Sequence, residues 1–407
     1  MVASPIPEEK APLRVAVIGY GVRGRDLARW AENVSTPASL IGIVEHSERC
    51  RRDARADFGE SVAILTDHHD LSSTDVDAVI VATPDDTHAA IAIDLLERGI
   101  PIYLEKPIAT TVADADAILD TAARTGTRIY VGHNMRHTPM ARVMKDVISS
   151  GEIGEVRGIW CRHFVGHGGD YYFKDWHADR ARSTGLLLQK AAHDIDFMHW
   201  LADSYTDRVV GMGDLLVYGR IADRRDRAGE RMKEWFSLDN WPPLAQTGLN
   251  PVVDVEDLSM VLMRLESGAM ASYQQCHFTP DYWRNFTVIG TEGRAENFGD
   301  SGDGVVRVWK QRSGYNPTGD AEYAFTGAGF GHDSADHDCV DEFLRFVASG
   351  AAPVTSVVGG RQAVAVGVSA THSLRGGSVP QDIPPIDPDV ARYFEHGQHT
   401  ILHTADR

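Results

Sequence analysis

Short apolar runs alternate with amphipathic stretches over the first third of the chain. Apolar runs without polar alternation are typical of strands buried on both faces of a parallel sheet. These runs occupy 14–18, 40–44, 76–82, 101–104 and 128–131. The stretches interpreted as helices between or beside them occupy 26–32, 46–57, 88–98 and 111–123. Strands separated by helices predict an α/β fold over residues 13–135, with a doubly wound parallel sheet.

The pattern changes after residue 135. A helix is predicted over 138–149 and a long one over 186–201, and the strands predicted without helices between them occupy 158–164, 260–265, 269–277 and 286–290. This pattern predicts a second domain, 136–382, built on a large, mainly antiparallel open sheet. Residues 220–251, rich in charge, tryptophan and proline, are interpreted as an insertion. Residues 1–12 and 383–407 are interpreted as tails.

Composition excludes several classes of function. The 407 residues carry a formal charge of −18, which opposes binding to nucleic acid or to an anionic membrane. The four cysteines are far apart and form no metal or disulfide pattern. The N-terminal stretch lacks the apolar core of an export signal, and no apolar run is long enough to span a membrane, so we expect a cytoplasmic protein.

A glycine motif follows the first apolar run directly. It matches G-x-G-x-x-G and consists of Gly19, Tyr20, Gly21, Val22, Arg23 and Gly24. Gly19 permits a tight turn, Gly21 lets backbone amides approach a pyrophosphate, and Gly24 allows close packing of helix and strand. The motif by itself also fits a glycine-rich turn that binds nothing. Glu45, about twenty residues further on, stands where a carboxylate accepts hydrogen bonds from an adenosine ribose.

Polar residues follow the other predicted strands. In doubly wound sheets, ligands bind beyond the carboxyl ends of the strands, where Glu45, Thr83, Lys106 and Asn134 are expected. Lys106 lies between Glu105 and Pro107, and the proline favours an extended conformation for it. Taken alone, Lys106 also fits an exposed lysine at a strand end.

The predicted helix over 186–201 carries the second group of candidates. Gln189 and His193 are four residues apart and share one helix face, with Lys190 beside them. A histidine with an ordinary pKa near 6.5 exchanges protons near neutral pH. A histidine on an apolar helix is also commonly a core residue.

These motifs occur in one order: GYGVRG, VEH, ATPDDTH, YLEKP, VGHNMR and AAHDID. Over roughly residues 13–375 the chain resembles the Gfo/Idh/MocA oxidoreductases. The resemblance implies a Rossmann domain, a C-terminal α/β domain and hydride transfer between NAD(P) and a sugar, inositol or related polyol. It implies that the cofactor is held by the glycine motif and by Glu45, Thr83, Pro84, His88, Glu105, Lys106 and Asn134. It also implies that His193 accepts the proton, with Lys106 near the reacting hydroxyl.

The chain departs from the family pattern in the catalytic helix. The family often has an acid, a glycine and a histidine as D-x-G-x-H, and here those positions are Gln189, Ala191 and His193. Glutamine does not exchange a proton near neutral pH. Lys106 or Lys190 is therefore expected to share the acid–base work.

Two further stretches are candidates for the substrate pocket. One is the stretch 163–172, which contains Tyr172, together with Trp176 further along the chain. These residues combine aromatic rings with hydrogen-bond donors, which suits the binding of a sugar. The polar loop 331–338 contains His332, and it also fits a solvated loop. A metal site from His163, His167, His332 and His337 matches no metal-binding spacing, so no metal is predicted.

The prediction is an NAD(P)-dependent oxidoreductase acting on a secondary alcohol or ketone of a sugar, glycoside or cyclitol. Glu45 favours NAD over NADP, because a carboxylate repels the 2′-phosphate. Two alternatives stay open: an NAD-dependent glycoside hydrolase or lyase working by transient oxidation, and a non-catalytic nucleotide-binding subunit. The open sheet predicts a homodimer or homotetramer.

Overall fold

The computed structural model describes residues 11–227, 230–327 and 333–398. In this part of the chain the first sheet has six strands: β1 (Leu13–Ile18), β2 (Ala38–Val44), β3 (Ala63–Leu65), β4 (Ala78–Val81), β5 (Ile102–Leu104) and β6 (Ile129–Val131). Their order is β3-β2-β1-β4-β5-β6, and all neighbours are parallel. The predicted doubly wound parallel sheet is confirmed.

Four helices connect these strands: α1 (Val22–Trp30), α2 (Glu48–Phe58), α3 (His88–Glu97) and α4 (Val112–Thr125). Helix α1 begins four residues before the predicted start, because Gly21 is its N-cap and Gly24 lies inside its first turns. The side chain of Thr111 accepts a hydrogen bond from the backbone N–H of Asp114 and caps α4. The connections therefore bring the carboxyl ends of the strands to one edge.

The second sheet is mixed and mostly antiparallel, as predicted. Its nine described strands are β7 (Val156–Phe164), β8 (Thr206–Asp214), β9 (Leu258–Leu265), β10 (Met270–Cys276), β11 (Trp283–Gly290), β12 (Arg294–Phe298), β13 (Gly304–Trp309), β14 (Ala321–Phe325) and β15 (Gln381–Asp382). Their order is β14-β13-β12-β11-β7-β10-β9-β8-β15, and β7 and β10 are parallel. Strands β8, β12, β13, β14 and β15 were absent from the sequence prediction.

The remaining helices are α5 (Pro139–Ser149), α6 (Arg180–Ser183), α7 (Leu186–Gln189), α8 (Ala191–Ala202), α9 (Asp333–Ser349), α10 (Val357–Arg375) and α11 (Pro388–Glu395). The predicted continuous helix over 186–201 is wrong, since it is broken at Lys190 into α7 and α8. None of the described helices is long and apolar enough to cross a membrane.

The C-terminal helices pack back on the first sheet. On α9, Phe343 contacts Tyr103 and Tyr130 edge-on or tilted, with ring centroids 5.8 and 5.9 Å apart. On α11, Val390 and Tyr393 are buried. The prediction of a polar tail with little core after residue 382 is therefore wrong for 388–395, where the two buried residues are three apart on one helix face.

The described residues of the segment 220–251 form short turns held against the second sheet's loops. The carboxylate of Asp170 accepts hydrogen bonds from Lys174 (2.8 Å) and from Asn240 (2.6 Å), and its backbone carbonyl accepts one from the indole of Trp235 (2.9 Å). Arg231 forms an ion pair with Asp53 of α2 (2.5 Å). The segment therefore connects the loops of the second sheet to the first sheet's helices.

Candidate active site

The glycine motif forms a tight strand–turn–helix connection. Gly19 has φ +90°, and a Cβ there would lie 2.5 Å from the carbonyl oxygen of Ala82. A Cβ on Gly24 would collide with the carbonyl of Gly19, whereas a Cβ on Gly21 would meet nothing within 4 Å. Open space therefore adjoins the N-terminus of α1 at Gly21, and this suits a bound pyrophosphate.

The other members of the motif have different roles. The ring of Tyr20 is fully buried, and its hydroxyl donates to Asp57 (2.7 Å). Val22 is exposed. The tyrosine ring is therefore part of the core, whereas the side chain of Val22 lies at the surface.

Glu45 lies at the carboxyl end of β2, beside the glycine turn. Its carboxylate accepts hydrogen bonds from the backbone N–H groups of Tyr20 and Ser47, both at 2.7 Å. The guanidinium of Arg51 donates to the backbone carbonyls of Glu45 and His46 (3.0 and 2.5 Å). Glu45 is thus fixed where the motif predicts a ribose-binding carboxylate.

The loop after β4 carries Thr83 and Pro84 as predicted. The hydroxyl of Thr87 donates to the hydroxyl of Thr83 (2.7 Å). The His88 ring is buried, with Nε2 2.9 Å from the carbonyl of Thr83 and Nδ1 2.8 Å from that of Pro107. A neutral His88 ring donates to one of these two carbonyls, and the ring lies between the two strand-end loops.

Asp85, in the same loop, was missed by the sequence reasoning. It is buried, and its Oδ2 has no hydrogen-bond partner in the described part of the chain. Burial raises the pKa of Asp85 well above its ordinary value, although the charge of Lys106 acts in the opposite direction. The double aspartate of the T-P-D-D turn was the available signal.

Arg23, Glu105 and Asn134 meet at one polar cluster, together with Asp336 of α9. Arg23 forms ion pairs with Glu105 (2.5 Å) and with Asp336, and the amide of Asn134 donates to Asp336 (2.6 Å). Tyr103 also donates to Glu105 (3.3 Å). The cluster ties Glu105 and Asn134, which follow β5 and β6, to Arg23 on α1.

Lys106 joins the two halves of the site. Its Nζ donates to the backbone carbonyl of Gln189, 3.1 Å away, at the end of α7. Burial lowers the pKa of Lys106, and the charges of Asp85 and Glu105 oppose this shift. The Gln189 side-chain oxygen is buried without a hydrogen-bond partner among the described residues. The predicted shared helix face of Gln189 and His193 is absent, because the helix is broken between them into α7 and α8.

His193 lies on the first turn of α8 and is buried. Burial, then the charges of Lys106 and Lys190, hold the pKa of His193 well below its ordinary value. Its ring centroid is 6.2 Å from that of His133, whose Nδ1 lies 3.1 Å from Asp196. A neutral imidazole at His193 is the form that accepts a proton.

A buried ionic network lies directly behind His193, and the sequence reasoning missed it. Asp194 is 2.9 Å from His163 Nδ1, accepts a hydrogen bond from the hydroxyl of Tyr273 (2.9 Å), and pairs with Arg284 (3.2 Å). Burial raises the pKa of Asp194, but Arg284 and His163 outweigh it, and the pKa falls below its ordinary value. The sequence did contain an indication of this network, because Arg284 is a charged residue at an inward position of β11.

Lys190 lies at the break between α7 and α8. Its Nζ is 5.9 Å from the ring centroid of Tyr172, the predicted substrate residue. Burial, then Arg284 and Lys106, lower the pKa of Lys190 to about 7. Trp176 stacks on His177 at 3.9 Å, and Tyr172 contacts His177 edge-on at 5.3 Å. Tyr172, Trp176 and Lys190 therefore belong to one connected group.

The remaining candidate, His332, lies outside the described residues. The other histidines considered for a metal site have separate surroundings: His163 contacts Asp194, His167 contacts Phe236, and His337 contacts Trp30. Among the described residues, the side chains with ligand atoms close enough together to hold a metal ion are those of Asp67, His68 and His69.

Comparison with known proteins identifies the family. A model described as an oxidoreductase family with an NAD-binding Rossmann fold matches residues 13–133, and a model of the GFO/IDH/MocA C-terminal domain matches residues 141–296. The chain belongs to the Gfo/Idh/MocA oxidoreductase family. The open turn at Gly21 and the fixed carboxylate of Glu45 fit the dinucleotide that this Rossmann family binds.

Similar proteins extend this result. The chain is 31% identical over 199 residues to inositol 2-dehydrogenase 1 of Saccharopolyspora erythraea, covering 48% of this chain and 56% of that protein. The chain spans a little more than half the length of the curated relatives it matches. A levoglucosan dehydrogenase in complex with NADH and levoglucosan has a TM-score of 0.74 at 20% identity, with 92% and 100% of the two chains covered. The myo-inositol 2-dehydrogenase of Lactobacillus plantarum has a TM-score of 0.70 at 20% identity, with 92% and 100% covered. These two structures show a shared fold.

Proposed function

We propose that this family member is an NAD-dependent dehydrogenase that interconverts a secondary alcohol and a ketone on a sugar, glycoside or cyclitol. The hydrogen bond from Lys106 Nζ to the Gln189 carbonyl, 3.1 Å long, carries this proposal. It places the lysine at the end of β5 against the segment that bears Lys190 and His193. Groups that bind and deprotonate a hydroxyl therefore adjoin the dinucleotide edge of the parallel sheet.

The protein's own residues handle the proton. A bound nicotinamide supplies the hydride acceptor. Lys106 donates a hydrogen bond to the substrate hydroxyl and favours its alkoxide form, while neutral His193 accepts the proton. Lys190, with its pKa lowered to about 7, is the second candidate for this acid–base work. Gln189 contributes its backbone carbonyl, which orients the ammonium group of Lys106.

NAD rather than NADP is the proposed cofactor. Glu45 carries a negative charge where the ribose is expected, and the nearby arginines are engaged elsewhere. Arg49 pairs with Glu234, and Arg51 donates to backbone carbonyls of the same loop. These contacts support NAD, since a 2′-phosphate is normally accommodated by an arginine next to the ribose.

The test is a substrate screen with NAD and with NADP. The panel contains myo-inositol, levoglucosan, aldohexoses, hexuronates and aryl glycosides, and both NADH formation and release of the aryl group are recorded. NADH formation with a polyol or sugar supports the proposal. Glycoside cleavage without added nucleotide supports the redox-neutral alternative, and nucleotide binding without turnover on the whole panel supports a non-catalytic subunit.

We also propose that the chain forms a homodimer or homotetramer through the open face of the second sheet. Trp160, Met212, Met260 and Leu262 project from neighbouring strands of this face and are about half exposed or more. Leu262 pairs in register with Ser272, which pairs with Trp160, so these side chains form a continuous surface. An exposed apolar surface of this kind is typical of a protein interface.

A further inference from the structure

Two lysines of the site lack a carboxylate partner. Among the lysines in residues 11–227, 230–327 and 333–398, only Lys174 and Lys310 lie within 4.0 Å of a carboxylate. Lys106 and Lys190 are both partly buried, and the hydrogen bond of Lys106 goes to a neutral carbonyl. An enclosed cation is costly without a negative partner, so this pair favours an anion in the space they share.

The acids near these lysines are already engaged. Asp194 is matched by Arg284, which lies 3.2 Å away, and Glu105 is matched by Arg23. Burial raises the pKa of Asp85 well above its ordinary value, which favours its neutral form. Asp300, the other acid that acts on Lys190, accepts a hydrogen bond from Tyr282. Asp194, Glu105 and Asp300 are therefore engaged by other donors, whereas no carboxylate lies within 4.0 Å of Lys106 or Lys190 in the described part of the chain.

The wall beside Lys190 also presents unused polar atoms. Nδ1 of His177 and both ring nitrogens of His277 are buried without hydrogen-bond partners in the described part of the chain. The ring of Tyr172 contacts both imidazoles, with centroids 5.3 and 5.2 Å apart, and it also faces Lys190. Burial lowers the pKa of both histidines, so neutral rings, each with one N–H donor, line this wall.

The two lysines without a carboxylate partner are separate from the place expected for the cofactor phosphates. Those are expected at the glycine turn after β1, whereas Lys106 follows β5, and β4 lies between these two strands. Lys190 comes from the other side of the site, at the break between α7 and α8. The positive charge therefore faces the substrate rather than the pyrophosphate.

We propose that the substrate is an anionic sugar that places a carboxylate against Lys190, as a hexuronate or an aldonate does. This inference rests on the proposed function, because it takes the space beside Lys106 and His193 as the substrate site. A carboxylate carries one negative charge and matches the single ammonium group of Lys190. A phosphate monoester carries up to two negative charges, and its binding needs cationic donors in addition to Lys190.

Binding to the protein–NADH complex tests this directly. Calorimetric titrations at pH 6.5, below the pKa of about 7 of Lys190, compare matched pairs: D-glucuronate with D-glucose, and D-galacturonate with D-galactose. D-glucose 6-phosphate forms a third arm. We expect at least one hexuronate to bind about tenfold or more tightly than its neutral partner, as one charge-assisted contact provides. Equal affinities, tighter binding of the phosphate, or no binding by any of the sugars would overturn the proposal.

Three variants locate the effect. Lys190→Met is expected to bring the acid-to-neutral affinity ratio close to one, and Lys190→Arg to preserve it by keeping the charge. Lys145→Met is the matched control: Lys145 is a partly buried lysine that contacts Trp200 at 5.4 Å, and its replacement should leave the ratio unchanged. An unchanged ratio in Lys190→Met contradicts the proposal.

Turnover separates this inference from the proposed function. A hexuronate that binds in a Lys190-dependent manner but is not oxidised by NAD supports the anion site and contradicts the dehydrogenase. Oxidation of neutral sugars by NAD, without tighter binding of the hexuronates, supports the dehydrogenase and contradicts the anion site.

Discussion

The carboxylate of Glu45 accepts a hydrogen bond from the backbone N–H of Tyr20, 2.7 Å away, and so joins the end of β2 to the glycine turn. A second bond from the N–H of Ser47 fixes the other carboxylate oxygen. The side chain is therefore oriented by the loop itself, which limits its freedom to move away from a ribose or from a 2′-phosphate.

Glu45→Ala is expected to weaken NAD binding about tenfold or more and to reduce the preference for NAD over NADP. NAD binding weakens because the ribose loses a charged hydrogen-bond acceptor. The preference for NAD falls because the carboxylate no longer repels the 2′-phosphate of NADP. Fluorescence titration with both reduced nucleotides measures this. Glu48→Ala removes an exposed carboxylate three residues away and serves as the control. Wild-type protein that binds NADPH more tightly than NADH contradicts the NAD assignment.

Lys106→Ala and His193→Ala are each expected to lower turnover by a factor of about 10² to 10⁴, because each removes a group that acts on the substrate hydroxyl. Both variants should still bind NADH, since the glycine turn and Glu45 are unchanged. Single-turnover rates with a substrate from the screen measure the effect.

Gln189→Ala is the matched comparison for these two variants. The hydrogen bond to Lys106 uses the backbone carbonyl of Gln189, so the loss of its side chain should cost less than either of the other substitutions. Near-normal turnover of His193→Ala contradicts its role as base and makes Lys190 the candidate.

The parallel sheet and its ligand-binding edge could be predicted from local sequence, whereas the inner part of the site could not. Strand ends at Glu45 and Lys106 are marked by apolar runs and turn residues, which act locally. The ionic network of Asp194 and Arg284 joins residues ninety positions apart, and its pairing depends on the register of the second sheet. The break at Lys190 also has no local signal, since neither proline nor a stretch of polar residues interrupts 186–201.

Leu262→Lys is expected to disrupt the homo-oligomer, because it places a charge in the centre of the open face of the second sheet. Leu262 is 60% exposed on β9, between Val210 and Ser272 of the neighbouring strands. Light scattering at micromolar concentration should show a smaller species than for the wild type. Leu238→Lys, at a residue that is 72% exposed in the segment 220–251, is the control and should not change the mass. A monomeric wild-type protein contradicts the proposed assembly.

The stability of the protein is expected to fall steeply as the pH drops below about 6.5. Burial is the first cause that lowers the pKa of seven histidines: His68, His88, His163, His177, His193, His199 and His277. Below the unfolded pKa of about 6.5 the unfolded chain therefore binds more protons than the folded one, and the free energy of unfolding decreases with falling pH. Above that pH these histidines are neutral in both states and contribute no slope.

His199 gives this prediction a single-residue test, because it lies outside the proposed substrate contacts and its pKa is lowered to about 4. Its Nε2 is 2.8 Å from the hydroxyl of Thr206, so His199→Gln should lower stability at every pH. The diagnostic quantity is the slope: between pH 5 and 6, urea unfolding should show a pH dependence shallower by roughly 1.2 kcal/mol per pH unit than that of the wild type, equivalent to slightly less than one proton. A His199→Gln slope equal to that of the wild type would show that His199 is protonated in the folded protein over this range.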